Sequence, residues 1–338
     1  MKKYIISIII CLITLIICIN IGSVFITLPD SYYITIHKIF GAALPQSVEP
    51  MSVSIFWNIR MPRALVAFVV GGSLAVSGAV MQSLLQNPLA SSYTMGVSSG
   101  SALGAAIIII IGVKTFLLRS FLLPLFGFTF ALLTVLFVII LSHKVDKNIH
   151  SYTIILIGMV ISLFVSAVLT LLASLYPDNS QQIYFWMMGS FSAKNWSHVY
   201  ILTPTALIIT ILIWMQSREL DIMTFGDDQA MTMGVETKNK KILLIALTAL
   251  LTGISVAFTG TIGFIDLVAP HAVRRIFGAK HRAVIPMSFM YGGAFMSVAD
   301  LISRTILSPR EIPVGAVTAL LGAPFFMLIF FRKRDTQN

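Results

Sequence analysis

The sequence predicts an all-α polytopic membrane protein with about ten transmembrane helices, and three observations lead to this class. Of the 338 residues, 57% are hydrophobic and only 11% are charged, whereas soluble domains carry roughly 25% charged residues. Apolar runs recur along the whole chain, and most approach the ~20 residues that a helix needs to cross the hydrocarbon core of a bilayer. Because backbone groups in lipid must be hydrogen-bonded within the protein, we expect these runs to be helices.

Ten segments, taken in chain order, meet or nearly meet the length of a transmembrane helix. The third and eighth are the least regular, since the third follows Pro88 and the eighth contains Pro270, and proline interrupts helical hydrogen bonding. The chain is therefore interpreted as one transmembrane domain, residues 1–338, with these predicted spans: 4–28, 64–86, 93–113, 121–142, 152–176, 199–216, 241–258, 262–278, 284–306 and 313–331.

The first segment follows Met1-Lys2-Lys3 and has the charge pattern of a signal peptide. Its apolar stretch is longer than a typical signal-peptide core, and no small-x-small cleavage site follows it. We therefore expect it to be retained as the first helix.

Other function classes find little support in the composition. The net charge of +10 would raise nucleic acid as a partner of a soluble protein, but here the basic residues lie in short clusters between apolar runs. Cys11 and Cys18 share the first run, and the six histidines show no metal-ligand spacing. We expect no catalytic residue, no cofactor, no bound metal and no nucleic-acid partner.

The basic residues also predict the orientation of the chain. With ten helices both termini lie on one side, and placing them in the cytoplasm puts 15 of the 23 Lys and Arg residues inside and 8 outside. Because cytoplasmic loops are enriched in basic residues, we predict cytoplasmic termini.

An internal repeat relates two parts of the chain, roughly 60–176 and 241–331, at an offset of 182 residues. In the predicted orientation the two copies enter the membrane from opposite sides, which is a common transporter architecture. Small residues at helix contacts would produce part of the pattern without duplication. The matched positions are Gly71, Gly78, Pro88 and Gly96 with Gly253, Gly260, Pro270 and Gly278.

Four motifs occur in a fixed order along the chain. They are Arg60-Met-Pro-Arg63; the stretch from Gly78 through Gln82 and Asn87-Pro88-Leu-Ala; Gly260 to Pro270-His271-Ala-Val-Arg274; and Asp300 to Arg304, followed by Glu311-Ile-Pro313-Val-Gly and Gly-Ala-Pro-Phe-Phe. In this combination they resemble the permease family of iron–siderophore, haem and cobalamin ABC importers, the FecCD/BtuC type. The resemblance extends from about Arg60 to Phe331.

The resemblance implies an assembly and a place for it. It implies ten helices per subunit, a second permease subunit that is identical or homologous, two cytoplasmic ATPases and an extracytoplasmic binding protein, in the lipid of the bacterial cell membrane. Two positions depart from the family pattern. Asp266 stands where the family usually has Gly, and Ser92 stands where it usually has Pro.

The segment 218–241 is the longest predicted cytoplasmic loop. Asp227-Asp228 after Gly226 indicate the start of a short helix and Gly234 indicates its end. Ala230, Met231 and Met233 would present apolar side chains to a groove on a partner. The resemblance implies that this segment rests on the ATPase; the alternative is an ordinary solvated connector.

The arginines Arg60, Arg63 and Arg304 match family positions that receive acidic residues of the binding protein. Arginine suits such docking because its planar fork pairs with both oxygens of a carboxylate. The alternative is that these arginines anchor helix ends. Arg304 also lies one helical turn beyond Asp300 and has an acidic partner available there.

The energy for transport is expected from another subunit. The sequence has no G-x-x-x-x-G-K-[ST] phosphate loop, and intramembrane acidic residues that form proton relays are scarce. Together with the resemblance, this predicts the permease subunit of an ABC importer. The resemblance implies an iron chelate as the cargo, most often a siderophore, with haem and cobalamin as the other candidates. We expect polar and small residues to line its pathway, and an ion-coupled secondary transporter is the alternative.

Overall fold

A computed structural model describes residues 2–22, 24–113 and 115–332, and these residues form fourteen helices and no β-strand. The fold class predicted from the sequence is confirmed. In chain order the helices are α1 (Lys2–Asn20), α2 (Leu28–Phe40), α3 (Pro50–Leu84), α4 (Val97–Ile111), α5 (Phe116–Val145), α6 (Ser151–Leu175), α7 (Pro177–Met187), α8 (Trp196–Met215), α9 (Ser217–Met223), α10 (Asp227–Thr232), α11 (Thr237–Thr259), α12 (Ile265–Phe277), α13 (His281–Thr305) and α14 (Val314–Arg332).

All ten predicted spans fall on helices, although several boundaries were wrong. Within the described residues, seven helices are long and apolar enough to cross a membrane, namely α1, α3, α5, α6, α8, α11 and α13. The other three predicted spans correspond to the shorter α4, α12 and α14. The first span ends at Asn20 and not at residue 28, and α12 begins at Ile265 and not at residue 262.

The helix α3 begins fourteen residues earlier than residue 64, at Pro50. It contains a π-helical turn, Ile55–Arg60, which passes directly into the α-helix that begins at Met61. Arg60 and Arg63 mimic a helix end in the sequence, but both lie inside α3 and are buried. Their charges are matched by partners within the fold, which are described below.

The amphipathic helix α2 was not predicted from the sequence. It has complete end signals, since the Thr27 side chain accepts a hydrogen bond from Asp30 N (3.2 Å) and Gly41 ends the helix with a φ of +72°. Its buried Ile34 packs into a cluster with Ile19 of α1 and Phe56 of α3. The helix therefore lies across the ends of α1 and α3.

The helix α3 is the centre of the bundle, with 94% of its most apolar stretch buried. It contacts α8, α11, α12 and α13, and its contact with α13 is the most extensive. Gly71 of α3 faces Gly292 of α13 so closely that a Cβ atom on either would clash with the other's backbone. Small residues let transmembrane helices approach in this way.

Helix contacts follow the same pattern in the two predicted halves. The pairs α4–α5, α4–α6 and α3–α13 have counterparts in α12–α13, α12–α14 and α11–α5. A duplicated unit produces such paired contacts. The division into the halves 60–176 and 241–331 stays a prediction.

Candidate functional site

Polar side chains gather at both ends of the helices that surround α3. We call the end at which α3 begins and α13 finishes the outer end, and the opposite end the inner end, following the predicted orientation. The three arginines of the docking prediction lie at the outer end. The 218–241 segment lies at the inner end.

Arg63 is the centre of the outer cluster. Its Nε and Nη2 donate to Asp300 Oδ1 at 3.0 and 2.9 Å, and its Nη1 donates to Glu311 Oε1 at 2.6 Å. The Asp300 side chain is almost fully buried, whereas that of Glu311 is 38% exposed. This arrangement joins α3, α13 and the segment before α14 through charge-assisted hydrogen bonds.

Arg60 and Arg304 bind the end of α1. Arg60 Nη1 donates to Asn20 O at 2.8 Å, and the other guanidinium nitrogen donates to Val24 O. Arg304 donates to Cys18 O. The last carbonyl groups of a helix lack partners within the helix, and a positive charge suits the negative end of its dipole. Two arginines from α3 and α13 therefore complete the C-terminal end of α1.

The alternative partner of Arg304 is also present. Arg304 Nε lies 3.5 Å from Asp300 Oδ2, one helical turn away. The structure thus brings Arg60, Arg63 and Arg304 together at the outer end, largely buried, and gives each a partner within the chain. Glu311 is the member of this cluster whose carboxylate extends furthest into solvent.

The inner segment folds into α9 and α10. Gly226, with a φ of +114°, precedes α10, and Gly234, with a φ of +85°, follows it. The backbone nitrogens of Gly234 and Val235 donate to Met231 O and Ala230 O, both at 3.0 Å. This pair of bonds is a Schellman motif, which commonly ends a helix at a glycine.

Three large apolar side chains of this segment are exposed. Phe225 is 63% exposed, Met231 is 49% exposed and Met233 is 59% exposed. Ala230 is buried within the chain, so it is not available to a partner in the way that the sequence suggested. Phe225 was missed by the sequence analysis, although it precedes the glycine that starts α10.

A buried lysine fastens α10 to the bundle. Lys241 Nζ lies 2.6 Å from Asp227 Oδ2 and also donates to Ile149 O at 3.1 Å. The side chain of Lys241 is 1% exposed. The predicted helix-start residue Asp227 therefore also forms a tertiary ion pair, while Asp228 beside it is exposed.

An inner hydrogen-bonded network connects α9 to three transmembrane helices. Asp221 Oδ1 lies 2.6 Å from His281 Nδ1, and His281 Nε2 lies 2.6 Å from Ser83 Oγ. Arg274 donates to Ser83 Oγ at 3.2 Å and to Gln82 Oε1. We call these five residues the inner network. Gln82 and Arg274 were predicted from the sequence as motif residues. No sequence pattern predicted a role for Asp221, Ser83 or His281.

The remaining motif residues have structural contacts at both ends of the bundle. Asn87 Oδ1 accepts from Leu89 N at 2.9 Å and so closes the turn that contains Pro88. Pro270 lies inside α12, the His271 ring packs 5.6 Å from that of Phe326, and Pro313 O accepts from Ala316 N at the start of α14.

The two departures from the family pattern, Asp266 and Ser92, are connected through Ser91. Ser91, the neighbour of Ser92, donates its hydroxyl hydrogen to Asp266 Oδ2, and Gln82 Nε2 donates to Asp266 O at 3.0 Å. Asp266 is 4% exposed. The backbones of Gly78 and Asp266 are in close contact, and a Cβ atom on Gly78 would clash with Asp266 O. Position 78 therefore has no room for a side chain.

A cavity of about 190 Å³ lies between α4, α6 and α7. Its wall is mostly apolar, and hydroxyl groups come from Ser98, Ser99, Ser166, Thr170 and Thr261. The sequence analysis predicted a polar, small-residue pathway without naming residues. The signal that it missed is the run of serines at the start of α4.

Comparisons with known proteins agree with this architecture. Residues 10–332 match the FecCD transport family. An uncharacterized ABC transporter permease protein of Bacillus subtilis, YvrB, is 40% identical over 95% of this chain and 91% of its own length. The hemin transport system permease protein HmuU of Yersinia pestis is 36% identical over 84% of this chain and 85% of its own length.

A solved structure has the same fold. It is described as an inward-facing conformation of a metal-chelate type ABC transporter, and it is 28% identical to this chain. The superposition covers 98% of this chain and 100% of the other, with a TM-score of 0.83. The helix order found here is therefore that of an ABC importer permease.

Proposed function

This chain belongs to the FecCD transport family, and we propose that it forms the membrane pathway by which an ABC importer brings an iron chelate into the cell. The observation that carries this proposal is the family match over residues 10–332, together with the likeness to a metal-chelate transporter over the whole chain. The relatives are permease subunits, so the ATPase activity is assigned to separate subunits. We propose no catalytic residue in this chain.

The proposed assembly contains two permease subunits, two cytoplasmic ATPases and an extracytoplasmic binding protein. The exposed Phe225, Met231 and Met233 support contact between the 218–241 segment and the ATPase, because an apolar groove on a partner would cover them. Lys241 and the inner network support a mechanical role, since they tie this segment to the transmembrane helices.

The proposed cargo is an iron chelate. A siderophore is the first candidate, and haem and cobalamin are the other two. Two relatives support this class of cargo: HmuU is named as a hemin transport permease, and the solved structure is described as a metal-chelate type transporter. The cavity between α4, α6 and α7 is a suitable part of the pathway, because its mostly apolar wall offers a few hydroxyl groups for hydrogen bonds and none of its lining residues is charged. A chelate that passes such a wall is bound weakly enough to be released.

Docking of the binding protein at Arg60, Arg63 and Arg304 remains part of the proposal. Carboxylates of the binding protein would approach the cluster where Glu311 is exposed, and they would compete with Glu311 for Arg63. The other two arginines are held by carbonyl groups at the end of α1, so they would contribute through their charge. Steering by charge raises the rate of association.

The test of the proposed function is uptake into cells that lack this gene and into cells with it restored. Uptake of ⁵⁵Fe-loaded siderophores, ⁵⁵Fe-haem and ⁵⁷Co-cobalamin is compared, with the ATPase subunit of the transporter either intact or altered in its phosphate-loop lysine. We expect uptake of an iron chelate that requires both the permease and the intact ATPase. Uptake that persists with the altered ATPase and follows an ion gradient would establish a secondary transporter instead.

A further inference from the structure

We infer that Asp221 and His281 form a rigid link through which movement of the α9–α10 segment is carried into α13 and α3. This inference rests on the proposed function, because it gives the 218–241 segment a defined route for transmitting the state of the ATPase. It assigns positioning roles to Asp221, Ser83 and His281. Asp221 and His281 lie outside the sequence motifs described above, and Ser83 lies within the second motif but had no role there.

A single carboxylate oxygen holds the first residue of α13. Asp221 Oδ1 accepts a hydrogen bond from His281 N at 2.9 Å and lies 2.6 Å from His281 Nδ1. With the proton on Nδ1, Nε2 accepts the hydrogen of the Ser83 hydroxyl, 2.6 Å away. The backbone and the side chain of His281 are thus fixed to α9, and the opposite edge of the ring is fixed to α3.

Burial makes this link stiff. The side chain of His281 is 1% exposed, whereas that of Asp221 is 38% exposed. A short hydrogen bond weakens steeply when it is stretched or bent. A displacement of α9 therefore either moves the start of α13 with it or leaves polar groups of His281 without partners, which is costly inside a protein.

The link continues to the centre of the bundle. Arg274 of α12 donates to Ser83 Oγ at 3.2 Å and to Ala79 O at 3.0 Å, and Gln82 Nε2 donates to Asp266 O at 3.0 Å. One contiguous set of hydrogen bonds thus runs from α9 to α13, α3 and α12. A second contact supports the same junction, since Trp214 Nε1 donates to Arg282 O at 3.0 Å.

A neighbouring ion pair between α9 and α11 offers a matched control. Glu219 pairs with Lys240 at 3.0 Å, but both side chains are more than a quarter exposed. Exposed pairs contribute little to stability. Among the described residues, the side chains of Glu219 and Lys240 form no hydrogen bond with α13 or α3. A change at Glu219 alters the charge of the same short helix without reaching the inner network.

The test uses the permease reconstituted in liposomes with its ATPase and its substrate-loaded binding protein. Asp221→Asn preserves the shape of the side chain and removes the charge, and Ser83→Ala interrupts the next step. We expect each variant to lower the number of chelate molecules moved per ATP hydrolysed about tenfold, within the range of coupling between sites in proteins. Glu219→Gln should keep the ratio of the unaltered transporter.

Three measurements separate the possible outcomes. If Asp221→Asn and Ser83→Ala keep the transport-to-ATP ratio of Glu219→Gln, the link does not transmit and the inference is overturned. A lowered unfolding temperature with an unchanged ratio also overturns it, because that result describes a purely structural role. If the unaltered chain moves substrate without ATP, it is the proposed function that fails, independently of these variants.

Discussion

Arg63 shows how a strongly charged side chain is accommodated inside a long apolar helix. Its guanidinium is shared by Asp300, which is buried, and Glu311, which is partly exposed. Burying a charge costs several kcal/mol unless it is paired and hydrogen-bonded. The two carboxylates satisfy this condition, but they differ in how much each contributes.

The first prediction separates the two partners of Arg63. Asp300→Asn removes the buried partner, and we expect it to destabilise the permease by about 3–5 kcal/mol, as breaking a buried pair does. Glu311→Gln removes an exposed partner and should cost about 1 kcal/mol or less. Thermal unfolding of the purified protein in detergent measures both; equal losses would contradict this division.

The second prediction concerns docking at the same arginines. Arg63→Glu should abolish uptake, but it also breaks the internal pairs, so membrane abundance must be measured beside transport. Glu311→Gln is the sharper variant, because it frees one side of Arg63 while Asp300 still holds the other. We expect Glu311→Gln to speed association of the binding protein, measured by surface plasmon resonance, and unchanged kinetics would remove Arg63 from docking.

The third prediction concerns Gly234, whose φ of +85° ends α10. No atom lies within 4 Å of a Cβ placed there, so a substitution acts through backbone strain alone. Gly234→Val should distort the end of α10 and reduce ATP-driven uptake, whereas Gly234→Asn should be tolerated because Asn adopts this conformation more readily. Equal uptake by the two variants, at equal membrane abundance, would exclude a role for this helix end.

At the scale of elements, the contact between α3 and α13 depends on residues without side chains. A Cβ atom on Gly71 would clash with Met296 and with the carbonyl oxygen of Gly292. Gly253 on α11 is different, because the nearest atom to its Cβ position is 3.5 Å away. Gly71 and Gly253 occupy matched positions of the repeat, but only position 71 has no room for a side chain.

The fourth prediction uses this difference. Gly71→Ala should destabilise the bundle by about 1–3 kcal/mol, the usual cost of overpacking a close contact. Gly253→Ala should be neutral or slightly stabilising, because alanine is the better helix former. Unfolding temperatures of the two variants, each compared with the unaltered protein, measure the effect, and a stable Gly71→Ala protein would show that α3 and α13 separate easily.

The sequence identified every long element but not all of their ends. Hydropathy placed ten helices correctly because burial in lipid requires long apolar runs. It placed the start of α3 at residue 64 because Arg60 and Arg63 look like an exposed helix end. The acidic partners of Arg63 lie 237 and 248 residues away in the sequence, so no local pattern shows that it is buried. The helix α2 had its signals at Thr27, Asp30 and Gly41, but these are helix-end signals, and the prediction of membrane spans rested on apolar runs.

Whole-molecule orientation is the subject of the fifth prediction. The distribution of 15 and 8 basic residues predicts that both termini are cytoplasmic. A reporter that is active only in the cytoplasm should be active when fused after Arg334, which lies outside the described residues, and silent when inserted near Asp178 at the start of α7. The reverse result would place the α9–α10 segment outside the cell and would remove its proposed ATPase contact.

The candidate site was predictable only where its residues are close in sequence. Gly226, Asp227 and Gly234 form a local helix pattern, and the structure has that helix. The inner network joins Ser83 to His281 across 198 residues and Asp221 to His281 across 60 residues. No local pattern marks such partners, because a serine or histidine at a helix end has many uses until the tertiary contact is known.

The attachment of α1 by arginines has a consequence for biosynthesis. Cys18 is translated 286 residues before Arg304, which donates to its carbonyl oxygen. At ~5–20 residues per second, this interval lasts roughly 15–60 s. Arg60 follows Asn20 by only 40 residues, so it is available to the end of α1 within seconds. The attachment of α1 to α13 is therefore completed only late in synthesis, when α13 is inserted beside α3.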